Sequence, residues 1–167
     1  MSIDFPQHMF ITGTDTDIGK TLVSALLLAG LEGHYWKPIQ TGVASSTNTD
    51  DSYYELGDTA WVVQHAGVPI DRTHPPTHQF PLPLSPHAAA QFANTAVSLS
   101  DFDLPTIPQD RTLVVEGAGG VMVPLNDDHY MLDLIKRLAI PVIIVARSGL
   151  GTINHTLLTL TQLRAHE

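Results

Sequence analysis

The chain contains no cysteine. That excludes a disulfide framework, a thiolate zinc site and a cysteine nucleophile, and with the last a glutamine-hydrolysing half. Basic residues are scarce: eight Lys and Arg stand against seventeen Asp and Glu, a formal net charge of -9. The clustered positive charge on which nucleic-acid affinity rests is therefore missing, and no nucleic-acid partner is expected. No stretch approaches the roughly 18 apolar residues of a membrane span, and Met1 to His8 carries Asp4 but no basic, apolar signal core. The cytoplasm is the expected compartment, with no membrane partner. Nine histidines are scattered without H-E-x-x-H spacing, which disfavours a metal site built on them.

What is present is a chain of 167 residues, 43% apolar, suited to one domain over residues 1–167 with one core. Strand signals alternate with helix signals. His8 to Thr12 predicts a strand, Lys20 to Leu31 a helix apolar almost all round, Tyr35 to Pro38 a second short strand and Tyr54 to His65 a helix closed by Gly67. Six of the twelve prolines fall between Val68 and Pro86, so that stretch is expected to be extended and free of helix. Ser85-Pro86 then predicts an N-cap and first turn for a helix over His87 to Asn94. Leu113 to Val115 predicts a buried strand ending in Glu116 and a glycine turn. Met131, Leu134, Ile135 and Leu138 sit at helical spacing, and the apolar run Pro141 to Ala146 predicts a central parallel strand. A last helix carries Ile153, Leu157, Leu160 and Leu163 on its expected inner stripe. This order predicts a doubly wound, mostly parallel α/β sheet.

The segment Gly13 to Thr21, GTDTDIGKT, lies between a predicted strand and a predicted helix, the context that a phosphate-binding loop requires. Backbone N–H groups there can surround a phosphate, Lys20 adds a positive charge and the Thr21 hydroxyl can reach Mg²⁺. The spacing is unusual, because five residues separate Gly13 from Gly19 and Thr14 stands where the general pattern has its first glycine. Asp15 and Asp17 add information. Carboxylates beside a triphosphate repel it unless a cation intervenes, so either both side chains turn to solvent or the loop suggests Mg²⁺ together with an amine-bearing substrate near the γ-phosphate.

In an open α/β sheet the ligand lies beyond the carboxyl ends of the strands, and three further strand ends stand out. Lys37, one of three lysines in the chain, begins KPIQTG and is placed to meet a γ-phosphate opposite Lys20. Glu116 follows an apolar strand directly, where a carboxylate is costly unless it holds a cation or caps N–H groups of its own turn. Mg²⁺, with Thr21 and a further carboxylate, fits the first case. Ser148 to Asn154, SGLGTIN, joins a buried strand to a helix start and is either an anion site or a capped turn. His87 is either near the substrate or a packed helix residue.

GTDTDIGKT, KPIQTG, SPH, EGAGGVMVPL and GLGTINH, in this order, together resemble the dethiobiotin synthetases, homodimeric, magnesium-dependent enzymes of the P-loop superfamily, over Phe10 to about Leu160. The resemblance implies a three-layer α/β/α fold and closure of a cyclic urea from 7,8-diaminononanoate, CO₂ and ATP. It implies Lys20 and Lys37 as catalytic cations, and Thr21, Glu116 and one aspartate as ligands of Mg²⁺. Asp58 fits that aspartate better than Asp50 or Asp51. ATP would lie against Asp17, Ile18, Gly19, Lys20, Thr21, Asp58, Glu116, Gly117 and Gly119. The diamine would meet Thr16, Thr41 and Gly119, with Gly151 and Asn154 of a partner subunit receiving its carboxylate.

Members of that family continue past the last helix into segments that complete the sheet and bind adenine. A chain ending at Glu167 is on that comparison incomplete, with apolar surface expected to lie open. Two further readings follow: an inactive remnant or nucleotide-binding module, and a partitioning-type P-loop ATPase. The last carries an extra loop lysine and often a basic amphipathic helix, and neither is visible.

Overall fold

The computed structural model describes residues 5–43 and 57–166. Five parallel strands form the main sheet: β1 (His8–Gly13), β2 (His34–Trp36), β4 (Thr73–His74), β6 (Leu113–Gly120) and β7 (Val142–Val145), in the order β4-β2-β6-β1-β7. β3 (Ile39–Thr41) and β5 (His78–Phe80) pair separately, also in parallel. The helices are α1 (Lys20–Leu31), α2 (Asp58–Ala66), α3 (Pro86–Phe92), α4 (Met131–Leu138) and α5 (Thr152–Ala165).

Strand periodicity sorts the core onto two faces. Met9, Ile11, Tyr35 and Val114 pack on one face with Ala25 and Leu28 of α1 and Val62 of α2. Phe10, Trp36, Leu113 and Val115 pack on the other with Ala89 and Ala90 of α3 and Leu134 and Ile135 of α4. Sheet covered on both sides gives the layered, doubly wound fold that the alternation of strand and helix predicts. The Ser85 cap is present, accepting from the Ala88 N–H with Pro86 beginning α3, and Gly67 closes α2 in the left-handed region.

Several expectations are corrected. The proline-rich stretch contains a 3₁₀ turn at Ile70–Arg72 and the strands β4 and β5. These short pieces make few N–H bonds that proline would forbid. β6 does not end at Glu116; it runs through the glycines, and Gly120 pairs with Gly13. β7 is an edge strand of the sheet among the described residues, and only Val145 of its four residues is buried. On α5 the expected inner stripe is largely open: Ile153 is 74% and Leu157 56% exposed, whereas Thr159 is buried and Leu163 packs on the core. On α1, Leu22 and Leu26 are exposed although the helix is apolar all round. The expected start of α2 at Tyr54 falls outside the described residues, as do Asp50 and Asp51.

At the edge of the sheet, His34 of β2 and His74 of β4 stack and bring Nδ1 and Nε2 to 3.3 Å. One ring must be neutral to accept the other's proton. Burial lowers the pKa of both; Arg72 and Arg111 lower His34 further, against an opposing contribution from Asp71, and His34 lowers His74. Because the folded pair binds protons less readily than free histidine, its stability is complete above the ordinary value of 6.5 and is lost as the pH falls below it. Thermal unfolding at pH 8 and pH 5 should therefore show a drop in Tm on acidification, and His74→Gln should make that drop smaller.

Candidate active site

Three adjacent strands bring the chemistry to one end of the sheet. The phosphate-loop segment follows β1, Lys37 follows β2, and Glu116 lies within β6 between them. The direction of Glu116 follows from strand parity. Val114 pairs with Tyr35, so Glu116, two residues on, points to the same face as Tyr35 and α1.

The carboxylate of Glu116 is 1% exposed, a cost of several kcal/mol unless it is fully bonded. Four donors meet it. Thr21 Oγ1 donates to Oε1 at 2.8 Å and Lys37 Nζ to the same oxygen at 3.3 Å. Ser24 Oγ and Tyr35 OH both donate to Oε2 at 2.9 Å. Burial, then the negative charge of Glu116 and Asp58, holds the Tyr35 hydroxyl well above its ordinary pKa, so at neutral pH it is a donor.

Lys37 bridges two carboxylates, hydrogen-bonding Asp58 as well as Glu116. Burial alone would lower its pKa, but the two carboxylates outweigh burial and raise it, so the ammonium stays charged. Asp58 is placed through its backbone: its N–H donates to Gln40 Oε1 at 3.2 Å, and Gln40 is buried in the middle of β3. Gly57, at φ +52°, makes this approach possible, since a Cβ there would stand 2.7 Å from the Gln40 side chain.

The phosphate-loop segment enters α1 through Gly19 at φ +98°, with no side-chain cap on the first N–H groups of the helix. Those groups suit an anion. Lys20 Nζ donates to the Asp15 carbonyl at 2.9 Å; burial first and the charge of Lys37 second lower its pKa, opposed by Glu116, Asp58 and Asp17. The cation expected beside Asp15 comes from within the chain, because Arg147 Nη2 donates to Asp15 Oδ2 at 3.1 Å. Asp17 is exposed and lines the cleft with φ +54°.

Part of this set lines an open cleft of about 950 Å³. Of the residues singled out in the sequence, Thr16, Asp17, Gly19, Lys20 and Thr21 line it from the loop and the start of α1. Lys37, Thr41, Asp58, Glu116 and Gly119 line it from the neighbouring elements. Others lie elsewhere. The Ile18 side chain packs into the core, Gly117 is buried against Phe10, and Gly151 and Asn154 are exposed at the start of α5, away from the cleft. His87 does not line the cleft either; it pairs with Asp127 at 3.0 Å, while Ser85 and Pro86 of the same motif do line it.

Ser24, Tyr35 and Gln40 were not foreseen. Ser24 carries a legible signal, since it lies three and four residues after Thr21 and Lys20 on one helix face. Tyr35 and Gln40 depend on strand register, which spacing does not reveal.

Removing one member of a buried charge cluster leaves its partners uncompensated. Lys37→Met should lower the unfolding free energy in metal-free urea titrations by about 3 kcal/mol, and adding Glu116→Gln should restore part of it. A single variant as stable as the parent would contradict the ion-pair account.

A family described as an AAA domain matches residues 7–167. The chain is 50% identical over 156 residues to the ATP-dependent dethiobiotin synthetase of Paramagnetospirillum magneticum, covering 93% of this chain and 69% of that protein. It is 43% identical over 155 residues to the enzyme of the same name from Novosphingobium aromaticivorans, covering 93% and 69%. The biotin biosynthesis bifunctional protein of Bordetella avium is 48% identical over 162 residues, 97% of this chain and 32% of its own length. The chain thus spans about a third of the bifunctional relative and about two thirds of the synthetases. With such identity along nearly all of its residues, the chain belongs to the dethiobiotin synthetase family.

Proposed function

We propose that the cleft closes a cyclic urea, using 7,8-diaminononanoate, CO₂ and ATP to make dethiobiotin, ADP and phosphate. The observation that carries this reading is the convergence of Lys20, Thr21, Lys37, Asp58 and Glu116 on one cleft in a chain half identical to a named synthetase.

In the proposed course, one amine of the substrate adds to CO₂ and loses a proton, giving a carbamate. A carbamate oxygen then attacks the γ-phosphorus as the bond to the β,γ-bridging oxygen breaks and ADP leaves. The second amine attacks the carbamate carbon, expels phosphate and loses a proton to water, closing the ring. Throughout, charge neutralisation and positioning account for most of the rate. The open N–H groups at the start of α1 and the Lys20 ammonium meet phosphate oxygens. Lys37 meets the transferring phosphoryl group from the other side. Thr16, Thr41 and Gly119, which line the same cleft, hold the diamine end, and exposed Asp17 faces its amines.

The donor set fits Mg²⁺. Thr21 Oγ1, Glu116 Oε1 and the Asp58 carboxylate are hard oxygens, the hydroxyl bonded to Glu116 and the two carboxylates sharing one positive charge, the Lys37 ammonium. Among the described residues no group of three or more His, Cys, Asp or Glu is poised for a metal. A site of two carboxylates and a hydroxyl, completed by phosphate and water, is the sort that Mg²⁺ takes. Bound there, the ion would neutralise phosphate charge and compete with Lys37 for its carboxylates, leaving the ammonium for phosphate.

A second copy of the chain completes this proposal. Gly151 and Asn154 stand away from the cleft of their own subunit, and Leu150, Ile153, Leu157 and Leu158 around them are exposed. Pairing of two copies through α5 would cover these side chains and carry the α5 N-terminus toward the substrate carboxylate of the other subunit. No helix among the described residues is long and apolar enough to cross a membrane; the cytoplasm, where ATP is abundant, is the proposed compartment.

With the diamine, bicarbonate and Mg-ATP, we expect dethiobiotin by mass spectrometry. Lys20→Ala and Lys37→Ala should each lower kcat/KM by about a hundredfold or more. ATP binding without product in the parent protein would instead favour a nucleotide-binding module, and full turnover by Lys37→Ala would remove its assigned role.

A further inference from the structure

A carboxylate can hold a divalent ion with one oxygen or with both, and the choice matters. Ca²⁺ takes six to eight oxygens in a flexible shell and accepts bidentate carboxylates, whereas Mg²⁺ demands a near-ideal octahedron. In this chain the two oxygens of Glu116 are not equivalent. Oε1 faces Thr21 and Lys37, on the cleft side. Oε2 accepts from Ser24 Oγ and Tyr35 OH, each at 2.9 Å and each from a side chain with no exposure.

A carboxylate oxygen has about two lone-pair sites, and two buried hydroxyls occupy both of them on Oε2. Neither donor has water to turn to. Swinging Oε2 toward a metal would strand two buried O–H groups, a cost that falls on bidentate coordination alone. Tyr35 is held by its place in the sheet, paired through β2 with Val114 of β6 and with Thr73 of β4, and Ser24 by its place one turn into α1. The clamp therefore comes from the rigid layers on both sides of the carboxylate.

We propose that Ser24 and Tyr35 are positioning residues that restrict Glu116 to a single coordinating oxygen, and so make the metal–nucleotide site select Mg²⁺ over Ca²⁺. The inference rests on the reading of Thr21, Asp58 and Glu116 as the metal-holding set. Neither hydroxyl touches metal or substrate; both act through Glu116.

The test is calorimetric titration of ADP into the full chain with Mg²⁺, with Ca²⁺ and with neither, for the parent, Tyr35→Phe, Ser24→Ala and Ser24→Thr. The parent should bind Mg-ADP more tightly than Ca-ADP. Tyr35→Phe and Ser24→Ala should shift the ratio of the two dissociation constants toward Ca²⁺ by about tenfold, and Ser24→Thr, which keeps the hydroxyl, should restore it. A merely structural role would weaken both complexes alike. Metal-independent ADP binding in the parent would overturn the metal set and the selectivity together. Metal-dependent binding with an unchanged ratio in both hydroxyl-free variants, each shown folded by circular dichroism, would overturn the selectivity alone.

Discussion

A fully desolvated carboxylate, Glu116, organises this molecule's working end. Its position at 1% exposure is tolerable only because hydroxyls and an ammonium saturate it from four separate side chains. Those donors come from α1 and from the β2 strand and its end, so satisfying one charge ties the phosphate-loop helix to the neighbouring strand through β6. Displacing any of these elements would leave a buried charge short of a partner, a penalty comparable to a substantial fraction of a domain's net stability.

The same interaction arranges the cations. Lys37 is drawn into the interior by Glu116 and Asp58, and its positive charge in turn disfavours the charged form of the neighbouring Lys20. Without phosphate, Lys20 satisfies itself on the Asp15 carbonyl. Asp15 is held by Arg147 beyond the end of β7, beside the backbone bond from Thr14 N–H to the Val145 carbonyl. The loop is therefore fastened on both flanks, and the groups proposed to meet ATP are already gathered around one cleft.

Much of this was legible in the sequence, and the reasons are local. A glycine-rich turn between a strand and a helix announces itself by composition, as do an N-cap followed by proline and a charged residue at the end of an apolar strand. What failed depended on neighbours distant in sequence. The strand looked as though it ended at Glu116, because glycines usually break strands; here Gly117 and Gly120 allow close approach by Phe10 and by Gly13. The run after Pro141 was apolar enough for a central strand, yet β7 lies at the edge of the described sheet. The α5 stripe was spaced correctly but meets little within the described residues, so periodicity alone did not say which face is covered. Asp15 called for a cation, and spacing gave no hint that Arg147, well over a hundred residues away, supplies it.

The central claim is that the γ-phosphoryl group passes to a carbamate oxygen within this cleft. It is tested most directly by supplying the diamine, ATP and ¹⁸O-labelled CO₂ in a short incubation and examining the released phosphate by ³¹P NMR. Transfer through the carbamate predicts one labelled oxygen in that phosphate, carried over when the second amine closes the ring. Phosphate free of label, with its new oxygen taken from water, would contradict the account.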